Sequence, residues 1–537
     1  MNIRPALSRR ALRGVVCSAF LLSCGALGQG WDELHRHFPV SDPKNFKTVI
    51  ATVGDIDITA QEFLLSYEFG PSFPKRRKDS RKTFLDFMIN EKLLALDAAA
   101  KGLSDAALVT RSLQELEGDM ATEELFKDDV MPLVHVSAAE LNEGVRDERT
   151  HYALRWIYTP EERDAQQIER QLRQGVSFDS LYQRQMHPPV KSDDRSLEST
   201  RFKLRRANAL FARVVDSLRV RRPSHPLRAP DGYYIVSLDS SWRDVLITGS
   251  EGAKLMGDAR QILEQEKSDS ISSRYVRRIM LENNPVIVRR TFDKLQAYLG
   301  SLWADPDRYA SWDLTKRFRD EGDSVDVKRI DDYGEDTLVT LKRKGVSLKE
   351  FLVWYRARDT YFRLNTTSRP AFFLSVEDLV WRMVRDKLLI ARAYKRKLQD
   401  RDIVKRQMKW WKDKVLFGIE KRTLEGTITL SDSLCRSYYG EHTRDYLDTA
   451  LVAQPYERVQ EQVRKDCYEL ELQKRLLHTV LALKRKYPVR VHEDLLNSLP
   501  VDQENEPRAI DVYTVKKGGT FPHPAFPTID YDWQKWM

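Results

Sequence analysis

The chain has 537 residues, 41% hydrophobic and 31% charged, with 89 Lys and Arg against 80 Asp and Glu for a formal charge of +9. That length exceeds what one hydrophobic core holds and implies about three compact units. Basic residues interspersed with nearly as many acids exclude the concentrated footprint of a nucleic-acid binder, and no run is long and apolar enough for a spanning helix.

Residues 1–28 read as an export leader, with Arg4, Arg9, Arg10 and Arg13 ahead of a short apolar stretch from Gly14 to Gly28. Two exits are open. Ala26-Leu27-Gly28 has the small residues of a plain cleavage site, whereas Leu21-Leu22-Ser23-Cys24-Gly25 has the form of a bacterial lipobox in which Cys24 would carry a lipid anchor. Removing the four leader arginines leaves an exported part of about +5. His35 and His37 follow as an exposed pair without metal-ligand spacing.

A first helical module is expected over 45–150 and 250–300. It opens with the strand TVIATV at 48–53, then Ile58-Thr59-Ala60-Gln61-Glu62-Phe63-Leu64 with Tyr67, where Thr59 is a plausible N-cap. Met88 to Leu103, MINEKLLALDAAAKGL, repeats apolar residues at helical spacing. The same order returns in a second module over 326–499. There the strand is DTLVTL at 336–341, the capped helix is Val346-Ser347-Leu348-Lys349-Glu350-Phe351-Leu352 with Tyr355, and the amphipathic helix is MVRDKLLIARAYKRKL from Met383 to Leu398. The two sixteen-residue stretches share six identities and three conservative matches at an offset of 295. Further on, Asn284-Pro285-Val286-Ile287-Val288 matches Tyr487-Pro488-Val489-Arg490-Val491 at an offset of 203, so the second copy is 92 residues shorter. The first copy therefore carries an insert, expected over 151–245.

The insert begins with the strand candidate HYALRWIYTP. Two helices follow, broken at Gly175, then a third over about Ala207 to Val220, and it closes on the strand after Asp231-Gly232. The order β-α-α-α-β is a small α+β domain. The expected fold class is thus α+β, mostly α: a helical module present twice, the first copy holding a small α+β domain. Residues 301–325 read as a linker with a short helix, and 500–537, rich in proline with Tyr531, Trp533 and Trp536, as an extended or disordered tail. Cys435 and Cys467 are either a disulfide, which an export compartment permits, or two buried free thiols.

The landmarks Gln174-Gly175-Val176-Ser177-Phe178 with Leu181, Phe211, Ser224-His225-Pro226-Leu227-Arg228 and Asp231-Gly232-Tyr233-Tyr234-Ile235-Val236 resemble the parvulin-type peptidyl-prolyl isomerase domain. The flanking modules, with Ser437-Tyr438-Tyr439 and His442, resemble the helical chaperone portion of the SurA and PrsA foldases in which that domain is embedded. The resemblance implies an ATP-independent periplasmic chaperone whose partners are unfolded envelope or outer-membrane polypeptides, without cofactor, nucleotide or nucleic acid. Parvulins carry a histidine on the first strand and another in a Gly-Tyr-His-Ile sequence on the last; those positions here read Trp156 and Tyr234. The family's glycine-rich loop is also missing, since no glycine occurs from Val176 to Asp231. The resemblance thus implies an isomerase domain retained for binding or as structure. A divergent working isomerase and an assembly subunit of one envelope complex stay open as alternatives.

Trp156, Phe211 and Tyr234 are the peptide-binding candidates in the insert. Trp410 and Trp411 are candidates outside it, because adjacent residues on a helix diverge by about 100° and cannot share one core, leaving one exposed or at a module interface. There is no GxxxxGK[ST] element and no HExxH or Cys-His metal spacing.

Overall fold

The computed structural model describes residues 47–536 apart from 187–189, 191, 230, 245–248, 324, 360–361, 450, 502–511, 514–522 and 525. Residues 1–28, read as a leader, with Cys24, and the His35–His37 pair lie outside the described residues. The fold is α+β and mostly helical, and no helix among the described residues is long and apolar enough to cross a membrane.

In chain order, β1 (Val49–Val53) and β2 (Ile56–Thr59) form a hairpin on Gly54, whose φ of +61° suits a residue without Cβ. The Thr59 hydroxyl accepts from Glu62 N at 3.2 Å and caps α1 (Ala60–Phe69). Helices α2 (Ser80–Ala100), α3 (Ala107–Asp129) and α4 (Ala138–Glu148) follow. Next come β3 (Thr150–Thr159), α5 (Glu162–Arg173), α6 (Phe178–Gln185), β4 (Ser196–Thr200), α7 (Arg201–Ala207), α8 (Ala209–Val215), β5 (Leu227–Ala229) and β6 (Gly232–Arg243). The chain continues through α9 (Gly249–Asn283), β7 (Val286–Ile287), α10 (Arg289–Trp303), α11 (Pro306–Trp312), α12 (Lys316–Asp320), β8 (Thr337–Thr340), β9 (Val346–Ser347) and α13 (Leu348–Arg356). It ends with α14 (Arg369–Lys395), α15 (Asp402–Gly426), α16 (Asp432–Glu441), α17 (Tyr456–Lys486), β10 (Val489–Val491) and α18 (Glu493–Ser498).

The described residues divide into two compact units. One holds 130–273; the other holds the described residues up to 129 and from 274 onward. In the smaller unit, β3 and β6 are the central strands of an antiparallel sheet of order β4-β3-β6-β5. Side chains alternate across it as the period of two requires. Leu154, Val236 and Leu238 pack with Phe211 and Val215 on one face, and Ile157 and Ile235 pack with Phe178, Leu181 and Tyr182 on the other. The sequence-based order β-α-α-α-β is corrected on two counts. Two further strands, β4 and β5, flank the sheet, and the third helix is the shorter α8, with a further helix, α7, ahead of it across Asn208.

In the larger unit the strands cross between halves of the chain. β10, near the end of the chain, pairs antiparallel with β1, while β7 pairs with β8. Each early or late hairpin is thus completed by the Pro-Val strand from the other half. The cores follow the same exchange: Ile50, Phe63, Phe84 and Leu93 share a cluster with Trp410, Phe417, Leu476 and Val480. A second cluster joins Leu295 and Leu299 of α10 to Leu338, Phe351, Phe372 and Val376.

Two expectations are corrected here. Residues 301–325 are not a linker: Asp305 caps α11, Trp312 stacks on Phe372 with ring centroids 5.1 Å apart, and Phe318 is buried. Of the stretch 500–537 read as an extended or disordered tail, 502–511 and 514–522 lie outside the described residues, and 526–533 is not free, because Phe526, Ile529 and Trp533 are buried in the first of the two cores. Among the charged residues that surround these aromatics, the sequence offered no periodic signal, and burial came from single large side chains.

Candidate functional site

Strand β3 places Trp156 and Tyr158 on one face of the small sheet, two residues apart, and β6 sets Tyr234 directly opposite Tyr158. Asn208 supplies the remaining wall. It lies between α7 and α8, and its Oδ1 accepts from Leu210 N at 3.1 Å and Phe211 N at 3.0 Å, which fixes the helix start and aims Phe211 at the sheet. Phe211 then meets Trp156 and Tyr234 edge to face, with ring centroids 5.3 Å and 5.6 Å away. Tyr158 and Tyr234 lie 5.1 Å apart.

These side chains border an open cavity of about 610 Å³ rimmed by Asp194, Arg195 and Asn208. The Arg195 guanidinium lies over the Tyr158 ring at 4.8 Å. The turn at Asp231-Gly232 anchors the site from below: the Tyr234 hydroxyl donates to Asp231 Oδ2 at 2.6 Å, and the Tyr158 hydroxyl donates to the Asp231 carbonyl at 2.5 Å. Gly232 is required there, since at φ +147° a Cβ would stand 2.6 Å from the Thr159 carbonyl oxygen. Burial, together with the hydrogen bond to Asp231, pushes the Tyr234 phenol well above its usual range, so it stays protonated. A neutral phenol locked as a donor offers aromatic surface and one acceptor position, not a base.

The structure thus brings Trp156, Phe211 and Tyr234 together. Tyr158 and Asp231 complete the site and were missed. Tyr158 was legible from its position two residues after Trp156 on the same strand, whereas Asp231 read only as a turn former. The three histidines described in this unit lie elsewhere: His135 precedes α4, His151 stacks on Trp242 and pairs with Asp244, and His225 pairs with Glu169 at 2.6 Å. His187 lies outside the described residues.

Trp410 and Trp411 are both buried, at 6% and 7% exposure, so of the two expected positions, exposed or at a module interface, neither side chain takes the exposed one. They do diverge. Trp410 joins the core of Phe63 and Phe84, and Trp411 packs with Leu116, Met120 and Val404, so each bridges α15 to an earlier part of the chain. Cys435 and Cys467 are free and buried in one cluster with Tyr446, Tyr456 and Val463. The Cys467 thiol is pushed up to about 11 by burial and by its neighbour Cys435.

A scan against protein-family models finds no match, and no curated protein matches. Among solved structures, the chain is similar to one described under two structurally related SurA-like chaperones of Campylobacter jejuni, PEB4 and Cj1289, at 15% identity, over 44% of this chain and 98% of that one, with a TM-score of 0.21. It is also similar to the peptidylprolyl isomerase PrsA of Bacillus anthracis at 14% identity, over 45% and 99%, with a TM-score of 0.19. A third likeness, to PrsA of Bacillus subtilis, has 17% identity over 42% and 92% with a TM-score of 0.16. At such scores the likeness says nothing of activity.

Proposed function

We propose that this chain is an exported, ATP-independent chaperone of the SurA type, in which the domain of β3 to β6 holds apolar segments of unfolded polypeptides without isomerising them. Its two helical halves are copies of one module. Glu62 pairs with Lys92 at 2.6 Å in the first half, and Glu350 pairs with Lys387, at the matching positions, in the second. Clients are envelope or outer-membrane polypeptides, and Cys24 is the candidate for a lipid anchor.

The observation that carries the binding reading is the cavity walled by Trp156, Phe211 and Tyr234. Aromatic faces with a polar rim suit a prolyl ring or another apolar side chain and its adjoining carbonyl. Catalysis needs more. The X-Pro barrier of roughly 18–20 kcal/mol falls only where the twisted amide is bound better than the planar one. The Tyr234 and Tyr158 hydroxyls at this wall are both already committed to Asp231.

Two readouts on the exported chain test this together: light scattering of a diluted, unfolded outer-membrane protein, and the proline-limited refolding rate of a model substrate. Scattering falls and the slow phase stays unchanged if the reading holds. An accelerated slow phase that is lost in Tyr234→Ala would overturn it in favour of an isomerase that works without the histidine pair.

A further inference from the structure

Residues 526–533 lie in a crevice between α2 and α15, held as a bound peptide is held. Phe526, Ile529 and Trp533 are buried anchors. Phe87 stacks on Trp533 with centroids 5.6 Å apart and an interplanar angle of 20°, and Phe69 meets Phe526 at 5.5 Å. Polar groups set the register between the anchors. The Glu91 carboxylate accepts from Asp530 N at 2.6 Å and from the Trp533 indole N–H at 2.9 Å, and it is paired with Lys414 at 2.8 Å. Lys421 reaches Asp530 at 3.1 Å and also contacts Asp532. Pockets for spaced side chains, one carboxylate gripping the main chain and a lysine reading acids are the elements of peptide recognition.

Two observations separate this from ordinary core. Beneath Pro527, Thr528 and Ile529 a partly open, water-sized cavity of about 30 Å³ remains, lined by Met88 and Trp410 and by the charged Glu62, Glu91, Lys92, Asp413 and Lys414. The aligned helix α14 also lacks such a bed. Where α2 has Phe87, α14 has Arg382, which is bonded to Asp378 at 2.6 Å; where α2 has Glu91, α14 has Asp386, bonded by Arg385 at 2.9 Å. At α14 the matching place is covered by Phe362, which stacks on Trp354 beneath the Arg382 guanidinium, and at α2 by the aromatic segment 526–533.

We propose that this crevice is a peptide-recognition groove whose resident occupant is the chain's own segment 526–533, and that the segment exchanges with partner segments of the same chemistry. Those partners are extended stretches of unfolded polypeptide with apolar or aromatic anchors at the spacing of Phe526, Ile529 and Trp533 and acidic residues between them. The inference rests on the reading of the chain as a peptide-binding chaperone and names the chemistry of one of its sites.

The test uses a fluorescent peptide of residues 524–537 and the chain shortened to end before Ala525. The peptide binds the shortened chain saturably and the full chain at least about 100-fold more weakly, because a tethered occupant competes at an effective concentration of roughly millimolar. Lys421→Glu weakens binding to the shortened chain, and a peptide with Asp530→Lys and Asp532→Lys restores it. Reduced, unfolded α-lactalbumin displaces the peptide. Should the shortened chain fail to fold, hydrogen exchange of 526–533 in the full chain replaces it: added α-lactalbumin raises that exchange. No binding of the peptide, no displacement by α-lactalbumin, or unchanged exchange in the full chain overturns the groove. Suppressed scattering without displacement would do so while leaving the chaperone reading intact; displacement without suppression would do the reverse.

Discussion

Lys92 is nearly buried between two carboxylates, Glu62 Oε1 at 2.6 Å and Asp413 Oδ2 at 2.7 Å, one from each half of the chain. Burial alone would favour the neutral amine, but the two acids outweigh it and hold the ammonium above its ordinary 10.5. A raised lysine contributes stability that is fully present below the unfolded value and lost as pH rises through the folded one. Lys92→Met should therefore cost about 3–5 kcal/mol at neutral pH, since it strands two buried carboxylates, and should flatten the fall in stability above pH 10.5, as read by urea unfolding across pH. The lysine was visible in the sequence as one of the matched positions of the two helices, and so was Glu62. Asp413 was not, because nothing local in a charged helix tells an inward acid from a solvated one.

Asn208 decides how the small unit presents its aromatic wall. A continuous amphipathic reading over Ala207 to Val220 passes over it, yet the residue is extended at φ −152° and caps α8 with two hydrogen bonds. Asn208→Ala should destabilise this unit by about 1 kcal/mol, with Asn208→Asp restoring most of it, and the near-ultraviolet signal of the Trp156 and Phe211 wall should broaden with it. Asparagine before an apolar run is a start signal, so this break could have been found. The strands β4 and β5 could not: Ser-Leu-Glu-Ser-Thr has no alternating apolar face, and it becomes a strand because β3 offers it a ladder from His151 to Arg155. The helices that matched at an offset of 295 were the most legible elements, because their apolar spacing survives without any partner.

Across the larger unit, exchange of the Pro-Val strands binds the two halves. β10 pairs with β1 through Ala51 and Val491, β7 with β8 through Val286 and Thr340, and Arg401 reaches Glu124 at 2.7 Å while Arg396 reaches Asp129 at the same distance. Chains cut within 301–325 should accordingly not fold alone, and co-expression of the two pieces should recover a cooperative unfolding transition and a one-to-one complex by sedimentation; two independently folded pieces would contradict the exchange. The sequence by itself determined the two amphipathic helices that match at an offset of 295, the N-caps at Thr59 and Ser347 and the two-faced strands β3 and β6, because each is a local pattern of period, cap or residue type. Only the tertiary structure decided which Pro-Val strand completes which hairpin, the burial of both Trp410 and Trp411, and the docking of the chain end at Trp533. A two- or three-residue strand of branched side chains pairs equally well with either hairpin, and an aromatic residue in a polar segment can pack wherever a pocket is left; both choices are made by contacts hundreds of residues away along the chain.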